Sequence, residues 1–287
     1  MSRIAYVNGR YVPHADAAVH VEDRGYQFAD GVYDVCAVVD GLLIDETLHL
    51  DRLDRSLGEL RIESPMGRSA LKVVLREVVR RNRIRNGLVY MQVTRGVARR
   101  DHPFPKGIKP AVVLTARAIA PEKIDANNRN GVAVATVPDI RWGRCDIKSV
   151  SLLPNVLAKQ TAREAGAYEA WLVDKDGFVT EGSSTNAWIV DADGNLVTRD
   201  VTNSILRGVT RTSLFAVAKA AGIPIVERRF TVDEAKHARE AFISSATGYA
   251  TPVVRIDDAV IGNGQPGSMA ERLRDLYLNA ARTGAKP

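Results

Sequence analysis

A lysine set within an apolar stretch is the first residue that could do chemistry. In Arg141-Trp142-Gly143-Arg144-Cys145-Asp146-Ile147-Lys148-Ser149-Val150 the pattern suits a buried strand, where an ammonium is costly to desolvate. On position alone Lys148 reads as a snorkelling or ion-paired side chain. Burial also has a chemical use, because desolvation lowers a lysine pKa and a neutral amine attacks aldehydes. Glu181-Gly182-Ser183-Ser184-Thr185-Asn186 is rich in small hydroxyl residues, as a turn or helix cap would be. It also carries a carboxylate that, once buried, can hold a pyridine nitrogen protonated and make the ring an electron sink. Leu206-Arg207-Gly208-Val209-Thr210-Arg211 opens a helix with glycine and threonine, where free N–H groups and the helix dipole favour a phosphate. Ser244-Ser245-Ala246-Thr247-Gly248 follows an apolar run and offers further N–H and hydroxyl donors, or an ordinary turn. Each stretch alone has an ordinary explanation. Together they supply a Schiff-base lysine, a ring-nitrogen partner and a phosphate cup.

These residues need elements to position them. In the first half, Ile4 to Val7 and Val32 to Val39 read as strands, the second followed by the turn signal Asp40-Gly41. Leu50, Leu53, Leu57 and Leu60 recur at helical spacing. Leu71, Val74, Leu75, Val78 and Val79 do so again after Ser64-Pro65, a cap and first-turn pair. Leu88 to Arg95 and Ala111 to Ala116 supply the sheet that both helices must cover. From Ile119 to Asn130 the pattern lapses into a polar interval. The expected organisation is a first domain over 1–118, a linker over 119–130 and a second domain over 131–287. In the second, strands are expected at Val132 to Val137, Ala170 to Val173, Phe178 to Glu181, Ala187 to Val190 and Leu196 to Thr198, with turns at Asp176-Gly177 and Asp193-Gly194. Helices are expected from about Asn155 to Ala165 and Thr210 to Ala221, and Thr231 with Glu234 and Ser268 with Glu271 form capping-box signatures. The fold class is α+β.

Composition narrows the partners. The 287 residues are 45% hydrophobic and 26% charged, the balance of a globular protein long enough to bury a substantial core. No apolar run is long enough for a membrane span, and the opening Met1-Ser2-Arg3-Ile4-Ala5-Tyr6 lacks a signal peptide's apolar stretch, so a cytoplasmic location is expected. Cys36 and Cys145 are too few for a disulfide framework and read as reduced thiols. The net charge of +6 could serve a nucleic acid, but the basic residues are interspersed with acids. The densest cluster, Arg76 to Arg85, reads as a solvated helix face. An anionic small molecule fits the surplus equally well, and no metal site is expected.

Longer blocks go further. Cys145-Asp146-Ile147-Lys148-Ser149, Leu157-Ala158-Lys159-Gln160, Glu181 to Asn186, Gly208-Val209-Thr210-Arg211 and Glu22-Asp23-Arg24-Gly25-Tyr26-Gln27-Phe28-Ala29-Asp30-Gly31-Val32-Tyr33 closely resemble the D-amino-acid aminotransferases, of the fold-type IV pyridoxal-phosphate class. The resemblance runs from about Tyr6 to Pro252. It implies a two-domain fold, with a small α/β N-terminal domain and a larger C-terminal domain around a β-barrel-like core with helices. It also implies pyridoxal 5′-phosphate as cofactor, held by Lys148 as a Schiff base, with Glu181 at the pyridine nitrogen. Arg52 would bind the phosphate with Val209 and Thr210, and Leu206 would pack on the ring. Ser245 would add a donor, and the following residue, often a hydroxyl in the family, is Ala246 here, with only its backbone N–H to offer.

Fold-type IV also includes branched-chain L-amino-acid aminotransferases, R-selective amine transaminases and aminodeoxychorismate lyase, so cofactor residues do not name the reaction. Thr94-Arg95-Gly96-Val97-Ala98-Arg99-Arg100-Asp101-His102 resembles the carboxylate-binding loop of the D-amino-acid enzymes, with Arg100 and His102 at matching places and Tyr33 as third member. A guanidinium grips a carboxylate bidentately, and an imidazole N–H and a phenol complete such a site. For an anonymous sequence the same residues would be a solvated loop tip. The resemblance implies D-amino acids and 2-oxo acids as substrates, and a homodimer whose active sites are shared between subunits.

Overall fold

The computed structural model describes residues 3–283, the last two by backbone alone; Met1 and Ser2 of the opening stretch lie outside the described residues. By packing, the chain divides into two compact units, Met1–Ala120 with Ile147–Ser151, and Pro121–Asp146 with Leu152–Pro287.

The first unit comprises β1 (Ile4–Val7), β2 (Arg10–Pro13), α1 (Arg24–Phe28), β3 (Gly31–Val39), β4 (Leu42–Leu43), α2 (Glu46–Glu59), α3 (Arg68–Arg81), β5 (Gly87–Thr94) and β6 (Ala111–Ala118). Its strands form one antiparallel sheet in the order β2-β1-β6-β5-β3-β4. The period of two along β3 assigns its faces. Val32, Cys36 and Val38 enter a core with Leu50, Leu53 and Leu57 of α2 and Leu71, Leu75 and Val78 of α3. Tyr33 and Val35 take the opposite face, level with Gln92 and Tyr90 of β5. The helices begin where leucine and valine recur at three and four residues, except at one cap. Gly67 precedes α3 without a side-chain cap, and Ser64 instead donates to the Met66 carbonyl at 2.8 Å, so the expected Ser64-Pro65 start lies in a turn before the helix.

The second unit comprises α4 (Pro121–Asn130), β7 (Val132–Pro138), α5 (Leu153–Glu164), β8 (Glu169–Val173), β9 (Val179–Gly182), β10 (Asn186–Val190), β11 (Leu196–Thr198), α6 (Val209–Ala220), β12 (Ile225–Glu227), α7 (Val232–Lys236), β13 (Glu240–Ser245), β14 (Tyr249–Ile256), β15 (Ala259–Val260) and α8 (Ser268–Thr283). Its sheet runs β12-β11-β10-β13-β14-β7-β8-β9, with β15 paired to β14, and curls into a half barrel. Strand β7 lies parallel to both neighbours. Strands β10 and β11 are buried along their whole length, as expected of sheet covered on both faces. Trp171, Ile189, Ile243 and Phe230 fill one side, and α5 covers another part with Ala158 and Ala162 against Val137 and Leu172. The expected α+β class with a barrel-like core holds.

The polar interval over 119–130 is not an open linker. Pro121–Asn130 is helix α4, grouped with the second unit. Only Asn128 of this helix is buried, so there is no apolar stripe for periodicity to reveal. The boundary also differs in another way, because residues 147–151 return to the first unit. Among the described residues no helix is long and apolar enough to cross a membrane.

The two expected capping boxes have different outcomes. Thr231 Oγ1 accepts from the Glu234 N–H at 3.1 Å, although the Glu234 carboxylate pairs with Arg228 instead of returning to the cap. At α8 the cap comes from a distant strand: Glu240 accepts from the N–H groups of Met269 at 3.0 Å and Ala270 at 3.4 Å. A carboxylate there satisfies orphan donors and faces the positive end of the helix dipole. Glu240→Ala is therefore expected to cost about 1 to 2 kcal/mol and Glu240→Gln less, read from the midpoint of urea unfolding.

Candidate active site

The segment around Lys148 is an irregular strap rather than the strand its composition suggests. It lies against β3. The Tyr33 N–H donates to the Lys148 carbonyl and the Val150 N–H to the Gly31 carbonyl, both at 3.0 Å, and Val32 and Ser149 form a single antiparallel bridge. Ile147 is buried in the core below the sheet, which fixes the strap one residue before the lysine. The half-buried Lys148 side chain donates from Nζ to Tyr33 Oη at 3.2 Å, with Nζ 4.2 Å from the centre of that ring. Tyr33 stacks on Tyr90 with centroids 5.6 Å apart, and Tyr90 Oη donates to Gln92 Oε1 at 2.7 Å. Burial, helped by the neighbouring Tyr33, pushes the Tyr90 hydroxyl up to about 12, so it remains a donor at neutral pH.

On the opposite face of β3 stands Asp34, with no exposed surface. Arg52, on α2, donates to it from Nε at 2.8 Å and from Nη2 at 2.7 Å, and His49 Nδ1 lies 2.7 Å from its Oδ1. Burial alone would raise the Asp34 pKa, but the charges of Arg52 and His49 and their hydrogen bonds prevail and hold it well below the usual carboxylate range. Arg52, which could have been a surface helix residue, is thus fixed in a buried ion pair with its side chain 12% exposed.

In the second unit Glu181 occupies β9 and is 5% exposed. Its carboxylate accepts from Arg141 Nη1, from Asn186 Nδ2 at 3.0 Å and from the Leu206 N–H at 3.1 Å. Arg141 also donates to Asp139 from Nε at 2.9 Å and Nη2 at 2.7 Å. Burial opposes the Arg141 charge, but Asp139 and Glu181 outweigh it and keep the guanidinium protonated, and Arg141 in turn lowers the Asp139 pKa. Asn186 also donates to the Leu206 carbonyl at 2.9 Å, tying Glu181 to the loop that leads into α6. That helix begins at Val209 and Thr210, after Gly208 as N-cap and with no side-chain cap. A Cβ on Gly208 would sit 2.1 Å from Asn186 Oδ1, so the position admits only glycine without rearrangement. Ser245 ends β13, and its hydroxyl accepts from the Gly248 N–H at 3.0 Å, with Ala246 in the turn between them.

Arg100 and His102 occupy an exposed loop between β5 and β6. With Asp101 and Phe104, Arg100 lines a cavity of about 480 Å³ in that loop. Among the described residues neither Arg100 nor His102 has a hydrogen bond or ring contact to Tyr33, whereas Tyr33 and Lys148 meet directly.

The sequence of residues 31–256 matches the family model for amino-transferase class IV. The chain belongs to the class IV aminotransferases. It is 41% identical over 273 residues to a D-alanine aminotransferase of Bacillus licheniformis, covering 95% of each protein, and 40% identical to that of Staphylococcus haemolyticus with the same coverage. Among solved structures, a T.th. branched-chain amino acid aminotransferase with pyridoxamine 5′-phosphate superposes with a TM-score of 0.90 at 28% identity, over 100% of this chain and 96% of that one. The Escherichia coli branched-chain enzyme, at 23% identity, shares the fold with a TM-score of 0.89, over 98% and 95%.

Class IV aminotransferases use pyridoxal phosphate. Each unit of this class IV aminotransferase carries groups whose chemistry fits that cofactor: the first an amine that could meet an aldehyde, the second a buried carboxylate that could meet a ring nitrogen and an uncapped helix start with a glycine where a side chain would intrude. Arg141, Asn186 and Asp34 hold Glu181 and Arg52, and the sequence alone assigns them no role. Arg141 and Asn186 lay inside the singled-out stretches, but nothing in their spacing tied them to Glu181.

The Asp34 cluster makes stability depend on pH. A carboxylate whose pKa falls on folding contributes stability above its unfolded value and loses it as pH falls through the folded one. Asp34→Asn is expected to cost about 3 to 5 kcal/mol at neutral pH, because Arg52 is left buried without its counter-charge. The difference from the parent protein should shrink once pH drops below 3.8, the ordinary value for this group, which chemical unfolding over an acid series measures.

Proposed function

We propose that this chain is a D-amino-acid aminotransferase, moving the amino group of a D-amino acid, D-alanine foremost, to a 2-oxo acid such as 2-oxoglutarate, with pyruvate and D-glutamate as products. The observation that carries this reading is the 41% identity, over 95% of both chains, to a protein known as a D-alanine aminotransferase. When bound, pyridoxal phosphate supplies an electron-withdrawing ring that stabilises negative charge at the substrate Cα.

The side chains divide the remaining work. Lys148 would hold the cofactor through Nζ and, once displaced by the substrate amine, act as the general base that takes the proton from Cα. Tyr33 Oη, 3.2 Å from Nζ, orients that amine. Glu181 would hold a proton at the ring nitrogen, and Arg141 pairs with its carboxylate. Arg52 and the N–H groups of Val209 and Thr210 would take the phosphate, with Leu206 against the ring and donors from Ser245 and the Ala246 N–H. Nε and Nη2 of Arg52 serve Asp34, so Nη1 is the nitrogen that would reach an anion. Arg100, His102 and Tyr33 would bind the substrate carboxylate. Fixing that carboxylate on one side decides which hydrogen on Cα faces Lys148, and hence D over L. A cytoplasmic location belongs to the same reading, and both cysteines are free thiols.

Transamination of D-alanine and D-glutamate against their L-forms and L-leucine, with pyruvate or 2-oxoglutarate as acceptor, tests the reading. D-substrates should be strongly preferred, Lys148→Ala should abolish turnover, and borohydride reduction with peptide mapping should place the cofactor on Lys148. Equal activity on L-leucine supports a branched-chain enzyme instead, and a label on Lys159 removes Lys148 from its role.

The same reading includes a symmetric dimer in which Arg100 and His102 serve the partner's site. Lys148→Ala and Arg100→Ala proteins, unfolded and refolded together, should then regain about a quarter of wild-type sites, since about half the dimers are mixed and each of those has one intact site. No recovery after verified subunit exchange would place the loop in its own chain's site.

A further inference from the structure

The loop assigned to the substrate carboxylate has no regular secondary structure, yet its geometry cannot drift, because grip on a small anion depends on placement to within an ångström or so. Its base is fixed by Gly96, at φ +106°, where a Cβ would fall 2.0 Å from the Lys109 carbonyl oxygen. Its tip is fixed from α1. Arg24 is 3% exposed and distributes its guanidinium three ways: Nε donates to Asp30 Oδ2 at 2.8 Å, Nη1 to the Asp101 carbonyl at 2.6 Å and Nη2 to the His102 carbonyl at 3.2 Å. The same guanidinium lies 4.7 Å from the centre of the Phe28 ring. Phe28 also meets the Arg100 guanidinium at 4.9 Å and the His102 ring at 5.6 Å. One short helix therefore touches the backbone of the loop through Arg24 and its two chemically active side chains through Phe28.

Asp30 is shared. Arg95 donates to it from Nε at 2.8 Å and Nη2 at 3.0 Å while holding the carbonyls of Arg61 and Leu60, and Phe104 covers the Arg95 guanidinium at 3.6 Å. Burial would raise the Asp30 pKa, but the hydrogen bonds and charges of the two arginines lower it, so the anion that anchors Arg24 persists at neutral pH. A lysine could not reproduce the arrangement, since one ammonium does not span a carboxylate and two carbonyls with a planar fork.

We propose that Arg24 and Phe28 are positioning residues for substrate recognition: Arg24 fixes the backbone at Asp101 and His102, and Phe28 sets the directions of the Arg100 and His102 side chains. This rests on the reading of Arg100 and His102 as the carboxylate site. Neither residue acts on the reacting atoms, so their loss should be felt in KM rather than kcat.

The test compares Arg24→Met, Arg24→Lys, Phe28→Leu, Arg100→Ala and the Arg24→Met/Arg100→Ala double variant as cofactor-loaded full-length enzymes. KM and kcat for D-alanine and 2-oxoglutarate are measured with thermal midpoint and cofactor absorbance. Arg24→Met should raise KM for both substrates about tenfold, with kcat and absorbance changed less than about twofold. Arg24→Lys should fall between it and the parent, and the double variant's penalty should be clearly smaller than the product of the two single penalties, because both changes act on the same carboxylate grip. Should Arg24→Met fail to fold, Phe28→Leu decides through the same rise in KM. Loss of thermal stability with KM unchanged in Arg24→Met and Phe28→Leu, or penalties that multiply in the double variant, overturns the proposal. If Arg100→Ala raises KM and Arg24→Met and Phe28→Leu do not, only the positioning role falls. If Arg100→Ala leaves KM unchanged, the carboxylate reading falls and the positioning role with it.

Discussion

Asp34 has no contact with solvent and is held between Arg52 and His49, and much of the first unit depends on that arrangement. An isolated carboxylate at such a site would give up its charge, because desolvation of an ion is costly unless a counter-ion and hydrogen bonds compensate. The bidentate Arg52 supplies both and in doing so joins α2 to β3 by a bond that tolerates little displacement. Strand alternation carries the constraint through the sheet. With Asp34 fixed on one face, Tyr33 must stand on the other, and the strap that pairs with Tyr33 brings Lys148 to its hydroxyl. A buried ion pair on one side of a strand thus settles where the amine on the other side can be.

The second unit repeats the device with different parts. Glu181 is nearly as buried as Asp34 and is paired with Arg141, which is balanced by Asp139. Arginine suits both places because it stays charged when buried and offers donors in a rigid plane. Had lysine stood at either site, burial could have neutralised it, and the carboxylate beside it would have been free to protonate. Lys148 differs from both arginines. Its hydrogen-bond partner is a phenol rather than a carboxylate, and without a fixed counter-charge an amine exchanges protons more freely, which suits the role proposed for it.

The sequence made some of this legible and concealed the rest for identifiable reasons. Strands β3, β5, β7 and β10 follow from alternation or continuous apolar runs, and α2 and α3 from leucines at helical spacing, because burial on one face leaves a periodic trace. Helix α4 leaves no such trace, since its surroundings bury only Asn128. The α8 cap was hidden for another reason: its acceptor, Glu240, is supplied from β13 and not from the expected Ser268 and Glu271 pair. Lys148 and Glu181 stood out because a charge in an apolar or small-residue stretch requires explanation. Arg24, Asp34 and Arg141 did not, because each becomes unusual only when its partner is known, and those partners lie six, eighteen and forty residues away.

Gly208 shows what an uncapped start costs α6 in stability. A serine, threonine or aspartate at the N-cap of that helix would satisfy one of the free N–H groups and typically add about 1 kcal/mol to the helix. Asn186 prevents this, because its Oδ1 occupies the space that any Cβ at 208 would need. The same Asn186 is held by Glu181 and the Leu206 carbonyl, so it cannot move aside without disturbing the carboxylate. The residue that holds the Glu181 carboxylate therefore keeps the adjacent helix without a side-chain cap at its first turn, which suits the anion-binding role proposed for those donors. The arrangement costs local stability, and the buried strand β10 that carries Asn186, paired along its length with β13, supplies the rigidity that tolerates it.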